Sequence, residues 1–207
     1  MRNFKITLLI FFALVLPLHL SAFDCFDWNS GWNFQVRGAY FYPSSDLFRK
    51  VFPVGGAEFQ IELDKDLGFN FLGCGFEAWA NFDWFSKNGH TDPLGDRTHI
   101  RLLPLNIGIK YIHDLTPCLH FYGGFGVCYT WLRIENDSIL LPRVIEKQNW
   151  GGVSKGGVQY DITCNTFIDL FMDYFYQPFS FPDFNTADGT SRNLGGYKVG
   201  AGLGVRF

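Results

Sequence analysis

Twelve charged residues stand at alternate positions of segments whose intervening positions are largely apolar. The bases are Arg37, Lys110, Lys155, Lys198 and Arg206, and the acids are Glu58, Glu62, Glu77, Asp83, Asp161, Asp169 and Asp173. Gathered in a confined space, such groups either line an ion path or neutralise one another as a salt-bridged filling. Isolated charges away from water are costly, whereas paired and hydrogen-bonded ones are tolerable. A second chemistry would need a nucleophile beside a base. The candidates are His90 and His99 with Asp92, Ser154 or nearby loop residues. No serine follows either histidine at a short spacing, and His90 stands in the turn-rich run KNGHTDPLGD, which argues against an enzyme. Neither a C-x-x-C pair nor a Cys/His cluster occurs, so no metal site is expected. The runs GGFG and GAGLG lie inside strand-like segments with no helix after them, so no phosphate-binding loop or cofactor is expected either.

The elements that must position these residues follow from composition and period. The 207-residue chain is 47% hydrophobic and 18% charged, with 23 glycines, 24 Phe, 9 Tyr and 6 Trp. That low charge excludes a disordered chain, and the wealth of aromatics and glycine favours strands over a helical bundle. A formal net charge of −3 offers nucleic acid no basic surface. Residues 1–22 read as a secretory signal peptide: Arg2 and Lys5, an apolar run from Ile6 to Leu16, Pro17, then the small pair Ser21-Ala22. Residues 23–31 form a short periplasmic lead.

From residue 32 onward, apolar and polar residues alternate with period two in eight segments, the strand signature. The clearest is the last. Tyr197, Val199, Ala201, Leu203, Val205 and Phe207 share one face, against Gly196, Lys198, Gly200, Gly202, Gly204 and Arg206 on the other. A bulge is expected at Pro104, which cannot donate to a ladder. Connections alternate strictly between long and short. The short ones are centred on 64–69, 113–117 and 161–165, and the long ones on 43–56, 87–96, 135–148 and 178–193. One rim is therefore neat and the other elaborate, as in outer-membrane barrels with short periplasmic turns and long external loops. Eleven residues tilted by ~40° cover roughly 28 Å, enough to cross a bilayer core. The predicted fold is all-β: an eight-stranded antiparallel up-and-down transmembrane barrel over 32–207. Its apolar faces meet lipid, and its charged and glycine-rich faces fill a narrow lumen. Arg37 is then within reach of Glu58, Glu62 and Glu77, and Lys155 and Lys198 of Asp169 and Asp173. Trp79 and Tyr122 occupy the space left by inward glycines, and Tyr40, Tyr42, Trp84, Trp131, Trp150, Tyr174, Tyr176 and Tyr197 stand at the membrane interfaces.

With these segments in place, residues 32–207 resemble the small outer-membrane β-barrel superfamily of OmpA-, OmpX- and OmpW-like proteins. The most specific element is the terminal strand, where Tyr197, Leu203, Val205 and Phe207 resemble the C-terminal signal read by the barrel-assembly machinery. The resemblance implies outer-membrane lipid and that machinery as partners. No peptidoglycan-binding domain follows Phe207, so wall anchoring is not expected. The odd number of cysteines and an oxidising compartment suggest a disulfide at the periplasmic rim among Cys25, Cys118 and Cys164, within the chain or to an envelope protein. The alternative is that the cysteines are small buried residues with no redox role.

The expected function is a structural or surface-interaction role in the outer membrane. External loops would meet a ligand or host surface around a polar-plugged, largely non-conducting interior. The alternatives are a lipid-modifying enzyme, a narrow pore, or a secreted lipocalin-like barrel with an apolar cavity.

Overall fold

A strand leaves one row of backbone donors and acceptors unpaired on each edge, and in this chain the last strand returns to pair with the first. The computed structural model describes residues 31–52, 55–71, 74–91, 95–138, 142–183 and 186–207. The signal-peptide segment and Cys25 lie outside the described residues. Eight strands form the closed barrel: β1 (Trp32–Pro43), β2 (Gly56–Phe71), β3 (Cys74–His90), β4 (Arg97–Thr116), β5 (Leu119–Asn136), β6 (Val144–Asp161), β7 (Thr166–Tyr176) and β10 (Gly196–Arg206). Between β7 and β10 a two-stranded ribbon, β8 (Pro178–Asp183) and β9 (Thr186–Asn193), stands apart from the barrel sheet. All pairings are antiparallel, and closure runs from Asn33↔Arg206 to Pro43↔Gly196. Reciprocal hydrogen bonds between Trp32 and Phe207 fasten the two ends at the short-turn rim.

Period two makes every second residue face out, and here the outward residues are the oily ones. Phe125 is 76% exposed, Trp150 63% and Leu203 60%, whereas Arg37 and Lys110 are 0% exposed. On β5 the outward row runs from Phe121 to Trp131, eleven residues or about 28 Å of height when tilted. Tyr40, Tyr42, Trp84, Trp131, Trp150, Tyr176 and Tyr197 are exposed at the long-loop end of their strands. Trp32, Tyr111, Phe121, Tyr160 and Phe207 form a second exposed set toward the other end.

Several sequence expectations change. The turn expected at 64–69 is strand, since β2 continues to Phe71 through an irregularity between Asp66 and Asn70, with Gly68 at a φ of 71°. β3, β4, β5 and β6 also run further toward the long-loop rim than alternation alone indicated, so the loops expected at 87–96 and 135–148 are shorter. Pro104 causes no bulge. The β3–β4 ladder lapses near it but keeps one register from Phe82↔Leu105 to Phe85↔Leu102, because a missing donor removes bonds without adding a residue. The region expected as a polar loop at 178–193 carries the β8–β9 ribbon. The first long connection holds a one-and-a-half-turn helix, α1 (Asp46–Val51).

The inward glycines admit bulky lumen residues. A Cβ at Gly108 or Gly126 would lie 2.7 Å from Cζ2 of Trp79, and one at Gly200 would lie 2.8 Å from the Phe171 ring. Replacing Gly126 with Val is therefore expected to destabilise the barrel by about 1–3 kcal/mol. Urea titration of the protein refolded into lipid vesicles measures this; an unchanged midpoint would mean that Trp79 does not need the space.

Candidate functional site

The polar faces of the eight strands converge on the barrel axis. Their charged residues form one network rather than separate neighbouring pairs. Arg37 on β1 lies 2.6 Å from Glu62 on β2, 2.9 Å from Asp169 and 3.7 Å from Asp173 on β7. Its guanidinium stacks 3.5 Å from the centroid of Phe171 and donates to Tyr122 Oη at 2.9 Å, which in turn donates to Asp169 at 3.2 Å. Lys110 on β4 reaches Asp64 at 3.0 Å, Glu77 at 3.1 Å and Glu62 at 3.6 Å. Lys155 crosses the lumen from β6 to Glu62, passing 4.3 Å from the Trp79 centroid. Lys198 on β10 bridges Glu58 at 2.7 Å and Asp83 at 2.5 Å. Amides fill the gaps: Asn106 donates to Asp83 and Asn81, Gln35 to Asp64, and Asn33 to Glu77.

The pairing expected from strand adjacency is corrected here. Arg37 pairs with Glu62 but makes no ion pair with Glu58 or Glu77 among the described residues. Lys155 and Lys198 each stand directly across a ladder from Asp173, yet both point over the lumen to β2 and β3, and Arg37 takes Asp169 and Asp173. In so narrow a barrel, a long side chain reaches the far wall as readily as its neighbour. Asp64 is a network member that sequence reading missed because it was placed in a turn. The signal was present, since Gln60, Glu62 and Asp64 continue one alternating row.

Below the network, at the short-turn rim, Arg206 lies 2.6 Å from Asp161, and His120 lies 3.0 Å from Asp161 and 2.5 Å from Asp114. This cluster is level with the lower aromatic set, at the edge of the apolar outer band. The hydrogen bond with Asp161 raises the His120 pKa above its ordinary value, against the opposing effect of burial and with help from Asp114. Burial pushes the Asp161 carboxyl up, but hydrogen bonds from His120 and Arg206 hold it below the usual range.

Above the network, the inward faces become apolar, which the sequence reading did not anticipate. Phe41, Phe85, Ile100, Leu102, Leu132 and Phe175 form a buried cluster, completed by Phe48 of α1 and by Phe52, Phe179 and Leu194 from the long connections. Phe41 meets Phe85 edge-on at 5.1 Å and Phe48 at 6.3 Å.

Tyr197, Leu203, Val205 and Phe207 point outward and are exposed. Cys164, between β6 and β7, is disulfide-bonded, but Cys118 is an exposed free thiol and does not join the expected bridge. Cys74 and Cys128 are also free, and Cys25 lies outside the described residues. His90 ends β3 on the outer face, and Asp92 lies outside the described residues. Ser154 faces outward on β6 opposite Phe125 and Tyr174, away from both histidines. His99 instead contacts β3: its Nε2 lies 3.2 Å from Ser86 Oγ and its Nδ1 lies 2.7 Å from Asn88 Oδ1. Ser86 precedes His99 by thirteen residues and meets it across a hairpin, a contact that sequence spacing does not reveal.

No family model and no curated protein matches the chain. Among solved structures, it is similar to Neisserial surface protein A, at 18% identity and a TM-score of 0.55 over 86% of this chain and 98% of that one. It is also similar to the outer membrane protein OprG from Pseudomonas aeruginosa, at 17% identity and 0.55 over 86% and 97%. Outer Membrane Protein W of E. coli matches at 18% identity and 0.51 over 84% and 97%. The fold is that of the small eight-stranded bacterial outer-membrane β-barrels.

Arg37→Met leaves Glu62, Asp169 and Asp173 short of their shared cation and is expected to cost about 3–5 kcal/mol in the same vesicle-based urea titration. His120 binds its proton more tightly in the folded barrel. Its stabilisation is therefore whole below the ordinary histidine value and disappears as pH rises through the elevated one. His120→Gln should flatten the dependence of the unfolding midpoint on pH across that window; an unaltered slope would remove His120 as its source.

Proposed function

We propose that the chain is an integral outer-membrane protein with a filled, largely non-conducting barrel that acts through its external rim and loops. The observation that carries this reading is the inversion of polarity. Large apolar and aromatic side chains are exposed on the outer wall, while four cations and seven carboxylates are buried within it. In water that arrangement would leave the oily surface solvated; in a bilayer the apolar wall faces hydrocarbon, while the ions are kept out of it and paired with one another. Strand closure supports it, since hydrocarbon tolerates no unpaired backbone. Among the described residues no helix is long and apolar enough to cross a membrane.

The filling reading rests on three levels along the axis: the Phe41–Phe85–Phe175 cluster, the Arg37–Lys110–Lys155–Lys198 network, and the Arg206–Asp161–His120 group. Interaction with a ligand or surface is assigned to the long-loop rim, where α1 and the β8–β9 ribbon supply structure beyond the barrel strands. Insertion by the assembly machinery through the terminal strand belongs to the same reading, because Tyr197, Leu203, Val205 and Phe207 lie on one outward face. So does a role for the Cys164 disulfide at the opposite rim.

In envelope fractions, the protein is expected to resist salt and carbonate washing and to require detergent for release; recovery in the wash as a folded monomer would overturn the membrane reading. In planar bilayers, pure protein should give no stable conductance steps, and such steps would overturn the filled-lumen reading alone.

A further inference from the structure

We propose that Ser86, His99 and Asn88 form a serine hydrolase site on the outer wall, acting on acyl esters of lipids in the external leaflet. Ser86 and Asn88 are two residues apart on β3 and share its outward face, and His99 on β4 stands directly across the ladder from Asn88. Strand geometry thus brings three side chains of the required types into line. Amide oxygen Oδ1 of Asn88 can only accept, so His99 Nδ1 carries the proton and donates to it at 2.7 Å. In the neutral ring, Nε2 then has its lone pair free and accepts the Ser86 hydroxyl at 3.2 Å. This is the nucleophile–base–orienter order that general-base activation of serine requires.

The surroundings suit an ester at the membrane surface. Trp84, exposed on the same face, lies two residues toward the membrane from Ser86, about 7 Å along the strand. Leu105 continues the apolar wall on β4. An acyl chain lying in the band would bring its carbonyl to the level of Ser86, at the boundary between headgroups and chains. Arg101 is the direct ladder partner of Ser86 on the same outer face, and its side chain is half-buried. It is the donor assigned to the developing oxyanion. A recess of about 420 Å³ beside the histidine, lined in part by Asn88, Arg97, His99 and Glu135, leaves room for a headgroup.

The chemistry closes with water as the only co-reactant. Ser86 Oγ bonds to the ester carbonyl carbon while its proton passes to His99 Nε2, and the carbonyl electron pair moves onto oxygen beside Arg101. Collapse of that oxyanion breaks the bond to the alcohol oxygen, which leaves with the proton from His99. Water then adds to the acyl-serine, giving one proton to His99. The Oγ–acyl bond breaks, and Ser86 recovers that proton. The products are a fatty acid and the lipid alcohol. His99 is a catalytic residue in this scheme, and Asn88 a positioning residue that acts through it. The substrate class rests on the membrane reading above.

The test uses the full chain refolded into phosphatidylethanolamine vesicles with or without lipopolysaccharide, with two readouts: fatty acid release and covalent labelling by a fluorophosphonate. Release from either lipid and an adduct on Ser86 are expected, and the lipid that is consumed identifies the source of the ester. Ser86→Ala and His99→Ala should each lower the rate by about 100-fold or more. Asn88→Ala should lower kcat by about tenfold with KM unchanged, and Asn88→Asp, which keeps the acceptor, should restore it. Ser154→Ala, an outward serine with no histidine beside it among the described residues, should match the parent. Far-UV circular dichroism confirms that each variant has folded. Absence of both release and adduct in folded protein would overturn the proposal, as would full activity in Ser86→Ala. An adduct on Ser86 in protein that does not enter vesicles would overturn the assignment to membrane lipid and the membrane reading together.

Discussion

Closure of the sheet is the constraint from which the rest of the molecule follows. Once β10 pairs with β1, no backbone edge remains in the barrel wall, and that wall has two unlike faces. The outer one is free to be apolar, while the inner one must be filled by whatever side chains alternate with it. Arg37, Lys110, Lys155 and Lys198 are buried as a consequence, each with at least one carboxylate within ion-pair distance and an aromatic ring nearby. Glu62 is the hub, shared by Arg37, Lys110 and Lys155 from three different strands. A network spread over so many strands ties opposite walls together, which ladder hydrogen bonds cannot do.

The filling changes character along the axis. Toward the long-loop rim the lumen holds phenylalanines, and α1 and the last connection contribute Phe48, Phe52, Phe179 and Leu194 to the same cluster. Those connections are therefore part of the packed structure. An apolar cluster there and a charged one in the middle partition the inside into a region built like a soluble core and a region built from ion pairs.

The outer wall is equally divided. Between the aromatic sets it is nearly featureless hydrocarbon surface, and just above them polar side chains begin to contact one another across strands. The Ser86–His99–Asn88 chain lies at this transition, as does Arg133, which contacts Glu135 at 2.7 Å and Glu146 at 3.0 Å. Strand residues in this zone are held by the barrel, so any chemistry placed there is positioned by a rigid scaffold at the edge of the apolar band.

Period two is a local property, and the sequence alone was sufficient to assign it. The number of barrel strands, their facing, the rim bearing the long connections and the inward direction of Arg37, Glu62, Lys110 and Asp169 all follow from which residues alternate. The same reading erred where a side chain or connection interacts beyond its own strand. Lys198 ignores Asp173 across the ladder for Glu58 and Asp83; Asp64 remains in a strand that seemed to have ended; Phe48 enters the lumen from a segment read as loop; Ser86 meets a histidine that follows it in sequence. Each of these depends on the barrel's diameter and on the register between strands, quantities set by closure. Alternation determines which way a residue points, but only the closed sheet decides what it meets there.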